Sequence, residues 1–148
     1  RKEAKELIDN YYKTYPDLKA YMANQVDFAR DNGYVETISH RRRYLKNINS
    51  QNAIVRAGDE RNAVNAPIQG SAADIIKLAM INIHAILEKE NYQSKMLLQV
   101  HDELVFDAHK DELETIKPII QHEMENAFRM SVPLDVEMGI GENWLEAH

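Results

Sequence analysis

The stretch "KMLLQVHDELVFDAH", residues 95–109, decides the reading of this chain. Two apolar runs with strand character, 96–100 and 104–108, flank His101-Asp102-Glu103, and no Gly, Pro or Asn marks an ordinary turn. Paired as a hairpin, the runs predict three consecutive ionisable residues at its tip. Adjacent residues of an extended chain point to opposite faces, so Asp102 projects one way and His101 and Glu103 the other or sideways. A carboxylate on a rigid tip is a good ligand for Mg2+, which takes one or two carboxylates together with waters and substrate phosphates. A polar turn whose charges are simply solvated fits the same three residues.

Other chemistries find less support. A His-Asp metal dyad of the phosphohydrolase kind needs further ligands on helices, and His40, His84, His109, His122 and His148 show no such arrangement. There is no nucleophile elbow for a Ser-His-Asp triad and no phosphate-binding P-loop. The absence of cysteine excludes disulfides and cysteine-rich zinc sites.

A second motif is "ERNAVNAPIQGSAAD", residues 60–74. Arg61, Asn65 and Gln69 recur every fourth residue and share one helix face if Pro67 permits the helix to continue. Asn and Gln donate uncharged hydrogen bonds, which suits the minor groove of DNA, where every base pair offers an acceptor. The small residues Gly70, Ser71, Ala72 and Ala73 let a helix approach another backbone closely, and packing through small residues accounts for the same pattern. Arg41, Arg42 and Arg43 follow a hairpin turn and are candidate phosphate contacts or a solvated basic tip. The net charge of −6 argues against a nucleic-acid partner, but it is unevenly spread. Residues 1–87 carry 13 Lys/Arg against 10 Asp/Glu, a net of +3, whereas residues 88–148 carry 5 against 14, a net of −9. A local basic stripe binds phosphate whatever the total charge.

Along the chain, helical spacing predicts a helix over 2–13 with Leu7, Ile8 and Tyr11 on one face, then a second after Tyr15-Pro16-Asp17, stopping at Gly33. "YVETI" and "RRYL" predict a β-hairpin. Residues 52–66 predict a modest helix, Pro67 an interruption, and 68–90 a long buried helix. An amphipathic helix follows over about 111–129, with Pro118 expected to kink it or mark its start, and "VPLDVEMGI" over 132–140 predicts a final strand. The fold class is α+β: helices, then a small antiparallel sheet with the carboxylate at a hairpin tip. At 148 residues one domain is the expectation, and no uninterrupted apolar run reaches the roughly 20 residues of a membrane span. The opening "RKEAKELIDNYY" reads as the middle of a helix, as in a piece of a larger protein.

"YVET…RRRYL…IN", "ERNAVNAPIQGSAADIIKLAM", "LLQVHDELVFD" and "VPLDVEMGIGENW" together, in this order and spacing, resemble the C-terminal part of the bacterial family A DNA polymerases. The resemblance runs over residues 1–148, and the closing "GENWLEAH" resembles that family's C-terminus. It implies that Asp102 is one of two aspartates holding two catalytic Mg2+ ions, that Glu103 is a secondary acid near the metals and that His101 sits beside the primer terminus. Arg61, Asn65 and Gln69 match positions facing the template or the primer-template minor groove, and Arg41, Arg42 and Arg43 lie where the family approaches duplex DNA. Residues 1–32 correspond to the end of the fingers subdomain and 33–148 to palm. The implied reaction is template-directed nucleotidyl transfer by a two-metal mechanism, with primer-template DNA and deoxynucleoside triphosphates as partners. The implied setting is a monomeric, nucleoid-associated enzyme of the bacterial cytoplasm, with no membrane partner.

The family's other aspartate lies in a "DYSQIE"-like motif and its nucleotide-gripping helix carries "R…K…NFG…YG"; neither occurs here. The piece alone is therefore expected to be inactive, and a non-catalytic DNA-binding module is the alternative. The chain departs from the family pattern at three places. His40 stands where Gly often precedes the arginines, Lys46-Asn47 replaces a common Pro-Asp, and Pro118 is unexpected.

Overall fold

The computed structural model describes residues 2–147. Helices α1 (Lys2–Thr14) and α2 (Pro16–Asn32) are followed by the hairpin β1 (Tyr34–Glu36) and β2 (Arg42–Tyr44), then by α3 (Ala53–Lys89). A second hairpin, β3 (Lys95–Val100) and β4 (Glu103–Asp107), leads through a 3-10 turn (Lys110–Glu112) into α4 (Leu113–Glu125), and a short α5 (Trp144–Ala147) closes the chain. The α+β class is as expected. The strands form two separate antiparallel pairs.

Packing divides the chain into two compact units, Arg1–Ser71 and Ala72–His148. The first has a core of Ala29, Val35, Leu45, Ile48, Ala63 and Ala66. Helix α2 starts on Pro16, whose missing N–H costs nothing in a first turn, and stops at Gly33, whose φ of 76° places it in the left-handed region while its N–H bonds Ala29 O. On α1 the predicted face forms, but Leu7, Ile8 and Tyr11 are all exposed. In the second unit Ala79, Ile83, Leu87, Ile116 and Ile120 make the core, with Met96, Leu104, Phe106 and Met138 packed against it.

Three sequence expectations are corrected. The helices predicted over 52–66 and 68–90 are one helix of 37 residues with Pro67 inside it. Asn52 caps its start, Oδ1 accepting the Ile54 N–H at 3.0 Å. Proline removes one helical hydrogen bond and costs about 3 kcal/mol in a helix interior. Here it is buried beside the core residues Ala63 and Ala66, and its carbonyl accepts the Ser71 hydroxyl at 2.5 Å. The α4 helix spans Leu113–Glu125 and continues through Pro118 rather than starting there. The strand predicted over 132–140 does not form: no described strand pairs with it, and Val132 and Ile140 are exposed. An alternating pattern supplies the faces of a strand but not its hydrogen-bonding neighbour.

By length and composition α3 also passes for a membrane span, with a mean hydropathy of 1.3 over 18 residues, although Asp74, Lys77, Asn82 and His84 punctuate it.

Candidate functional site

The β3–β4 hairpin pairs Lys95 with Asp107, Met96 with Phe106, Leu98 with Val105, Gln99 with Leu104 and Val100 with Glu103. The last rung corrects the expected three-residue tip: Glu103 opens the returning strand, so the loop is His101 and Asp102 alone. His101 has φ 53°, the left-handed region, and Asp102 is not among the residues with positive φ. Positive φ at only the first position of a two-residue loop is the pattern of a type II′ turn, where glycine is usual. A non-glycine residue held there stores strain of about 1–3 kcal/mol, and such residues concentrate at functional sites. The Gln99 side-chain amide donates to His101 O at 2.7 Å and braces the turn. His101 and Asp102 are exposed and Glu103 is half-buried. All three are thus brought together, with Asp102 at the apex.

The ladder contains a β-bulge. Between Met96 and Leu98 the partner strand advances by only one residue, from Phe106 to Val105, and Leu97 is the extra residue. Met96 faces the core with Phe106, while Leu97 and Leu98 are both exposed. Beyond the bulge Gln99 pairs with core-facing Leu104, which puts Val100 and Glu103 on the other face.

At its open end the hairpin is closed by a polar node. Glu112 Oε1 accepts the Gln93 N–H at 2.9 Å. Its Oε2 accepts the Ser94 N–H at 2.9 Å and the Ser94 hydroxyl at 2.6 Å. Ser94 Oγ in turn accepts the His109 N–H at 2.9 Å. The Gln93 amide, then the Ser94 hydroxyl, hold the Glu112 carboxyl below its ordinary range. Sequence reasoning missed this node; the only signal was a serine before the strand and a glutamate three residues past His109.

As to a metal, Asp102 supplies one exposed carboxylate, and no group of three or more metal-ligating side chains occurs among the described residues. That donor set fits a shared site, in which Mg2+ takes one carboxylate from here and the rest elsewhere, and not a self-sufficient cage.

In the first unit the basic residues separate into distinct environments. Arg41 Nη2 donates to Gly70 O at 3.1 Å. Arg42 Nε donates to Glu36 Oε1 at 2.8 Å, and its guanidinium lies 4.3 Å from the centre of the Tyr34 ring. That bond holds the Glu36 carboxyl below its usual range and pushes the Arg42 guanidinium up. Arg43 pairs with Val35 through its backbone, while its exposed side chain makes no hydrogen bond or ion pair among the described residues. Arg41, Arg43 and Gln69 line a small groove of about 70 Å³ between the β1–β2 hairpin and α3.

Because α3 runs through Pro67, Arg61, Asn65 and Gln69 do share a face; all three are exposed, opposite the buried Ala63 and Ala66. Gly70 lets the hairpin close on the helix. A Cβ there would lie 2.5 Å from Thr37 Cγ2, and the next residue, Ser71, accepts the Ile38 N–H at 2.8 Å.

The second unit thus carries an exposed carboxylate at a strained hairpin apex, and the first a helix face of uncharged donors beside Arg43. The sequence model of DNA polymerase family A matches residues 1–146, and the chain belongs to that family. It is 50% identical over 147 residues to DNA polymerase I of Lactococcus lactis subsp. lactis and 52% identical over 146 residues to DNA polymerase I of Caldicellulosiruptor bescii. In each comparison 99% of the chain aligns, and it spans 17% of the relative's length. Among solved structures, the polymerase domain of Pol1 from M. smegmatis, in complex with DNA primer-template and dNTP, superposes with a TM-score of 0.96 at 43% identity, over 99% of this chain and 26% of that one.

Proposed function

We propose that this chain is the C-terminal part of a DNA-directed DNA polymerase of the DNA polymerase I type, a nucleotidyltransferase of the bacterial cytoplasm acting as a monomer on primer-template DNA with deoxynucleoside triphosphates. The observation that carries the reading is Asp102, exposed at a strained two-residue apex in a family A chain. Residues 1–32 would end the fingers and 33–148 belong to the palm.

In this reading Asp102 supplies a carboxylate oxygen to Mg2+ shared with a second aspartate elsewhere in the polymerase. Mg2+ held there would supply a lowered pKa for the primer 3′-hydroxyl and charge stabilisation for the leaving pyrophosphate. Glu103, on the face away from the core, is a secondary acid near the metal, and His101 sits beside the primer terminus. Arg61, Asn65 and Gln69 bond the template or the minor groove without reading sequence, while Arg41, Arg42 and Arg43 face the duplex. Of these three, Arg43 is best placed for phosphate, because Arg41 is bonded to Gly70 and Arg42 to Glu36.

The test is single-nucleotide primer extension by the full-length polymerase that carries this chain. Asp102→Ala is expected to lower kcat at least a thousandfold while primer-template affinity stays within about threefold. Extension that survives the substitution would falsify the assignment. A wild-type enzyme that binds primer-template but never extends it would leave the non-catalytic DNA-binding module.

A further inference from the structure

We propose that Glu112 is a positioning residue for Asp102: its carboxylate fastens the open end of the β3–β4 hairpin and so fixes where the apex is held. The inference rests on the polymerase reading of Asp102.

A two-stranded hairpin is marginal by itself and takes its register from its buried face, its turn and whatever holds its open end. At the apex the pin is the two-residue turn. At the open end it is the polar node. Gln93 and Ser94 lie immediately before β3 and His109 two residues beyond β4, so at the open end Glu112 ties the two strands together, the second through Ser94 Oγ. Ser94 is 2% exposed, which shields its own bonds to Glu112 and His109, though not the Gln93 bond, from competing water. Between the two pins lies the bulge at Leu97, the place where the ladder is least regular. A slip there carries Asp102 out of the apex.

The node also depends on the chemistry of a carboxylate. Glu112 receives three donors and offers only lone pairs. A glutamine of the same size would turn an N–H towards either the Gln93 or the Ser94 donor. The titratable neighbours are His109, which favours the charged carboxylate, and Asp111, whose Oδ2 lies 4.0 Å from His109 Nδ1.

The experiment uses the full-length polymerase with Glu112→Gln, Ser94→Ala and Asp102→Ala. Glu112→Gln is expected to lower the single-nucleotide kcat by about tenfold or more, since displacement of a reacting group by about 1 Å costs up to a hundredfold. Nucleotide KM and primer-template Kd should stay within about twofold. Amide hydrogen exchange at Gln99, Val100, Glu103 and Leu104 should accelerate in the absence of DNA and metal. Ser94→Ala deletes only the hydroxyl link and should show the same split at smaller size. A role in stability alone would lower Tm while leaving kcat per folded molecule and exchange at the apex unchanged, and that result overturns the proposal. If Asp102→Ala abolishes extension and Glu112→Gln does not slow it, positioning fails and the polymerase reading stands. If Asp102→Ala still extends, the polymerase reading itself fails.

Discussion

His40 and Gly70 show how much a single Cβ decides. His40 has φ 60° in the turn between β1 and β2, a conformation that favours glycine, and the hairpin forms around it regardless. The sequence signalled this, because a histidine stands where glycine is common, but it could not say whether the turn would change or the strain be tolerated. It is tolerated: Thr37 and His40–Arg41 keep their turn hydrogen bonds. His40→Gly should therefore raise stability by up to about 1 kcal/mol, as relief of left-handed strain outweighs the added freedom of the unfolded chain. Thermal unfolding checks it, and a lower Tm refutes it. Gly70→Ala runs the other way. The new methyl meets Thr37 Cγ2, so a loss of about 1–3 kcal/mol is expected, with the hairpin lifting from α3. His101 is the counterpart that the sequence hid, since nothing in His-Asp-Glu announces a turn with positive φ.

At the scale of elements, both hairpins were legible from their apolar runs alone, and the first two helices from their period together with Pro16 and Gly33. The exceptions have physical causes. Pro67 is a helix breaker by its own chemistry, but the burial of Ala63, Ala66 and Pro67 itself is a tertiary gain that no local rule contains. The continuous helix is what aligns Arg61, Asn65 and Gln69. Gln69→Ala in the full-length polymerase should weaken primer-template binding by about 0.5–1.5 kcal/mol, the worth of a hydrogen bond, equally for several duplex sequences. Fluorescence anisotropy titrations on three unrelated duplexes would measure this, and a sequence-dependent loss would contradict it. The Glu112 node adds a pH dependence. Its carboxyl is held below the ordinary range, so its contribution is complete above the unfolded pKa and fades as pH falls through the lower folded value. Acid unfolding of Glu112→Gln should consequently lack part of the wild-type loss in that acid window, while the two curves run parallel near neutrality.

On the scale of the whole molecule, the family was legible from motif order, but the division into compact units was not. It falls at Ser71 and Ala72, inside α3, where no linker composition marks a boundary. The chain spans 17% of the relatives' length and leaves large apolar side chains bare, among them Leu7, Ile8, Ile54, Ile68 and Leu145. It carries neither of the motifs to which the family resemblance assigns the second aspartate and the nucleotide-gripping helix. The isolated 148 residues should therefore extend no primer, and should associate with rising concentration through these faces. Sedimentation showing one monomeric species across the concentration range would count against the second expectation.

The extra residue at Leu97 constrains how this region can change over generations. Removing one residue there closes the bulge: without Leu97 the rungs Met96–Phe106, Leu98–Val105, Gln99–Leu104 and Val100–Glu103 follow one another directly, and Asp102 keeps its place in the loop. Adding one residue has no such outlet, so either the loop lengthens or Gln99 and Val100 exchange faces. The segment should therefore tolerate a single codon lost more readily than a single codon gained.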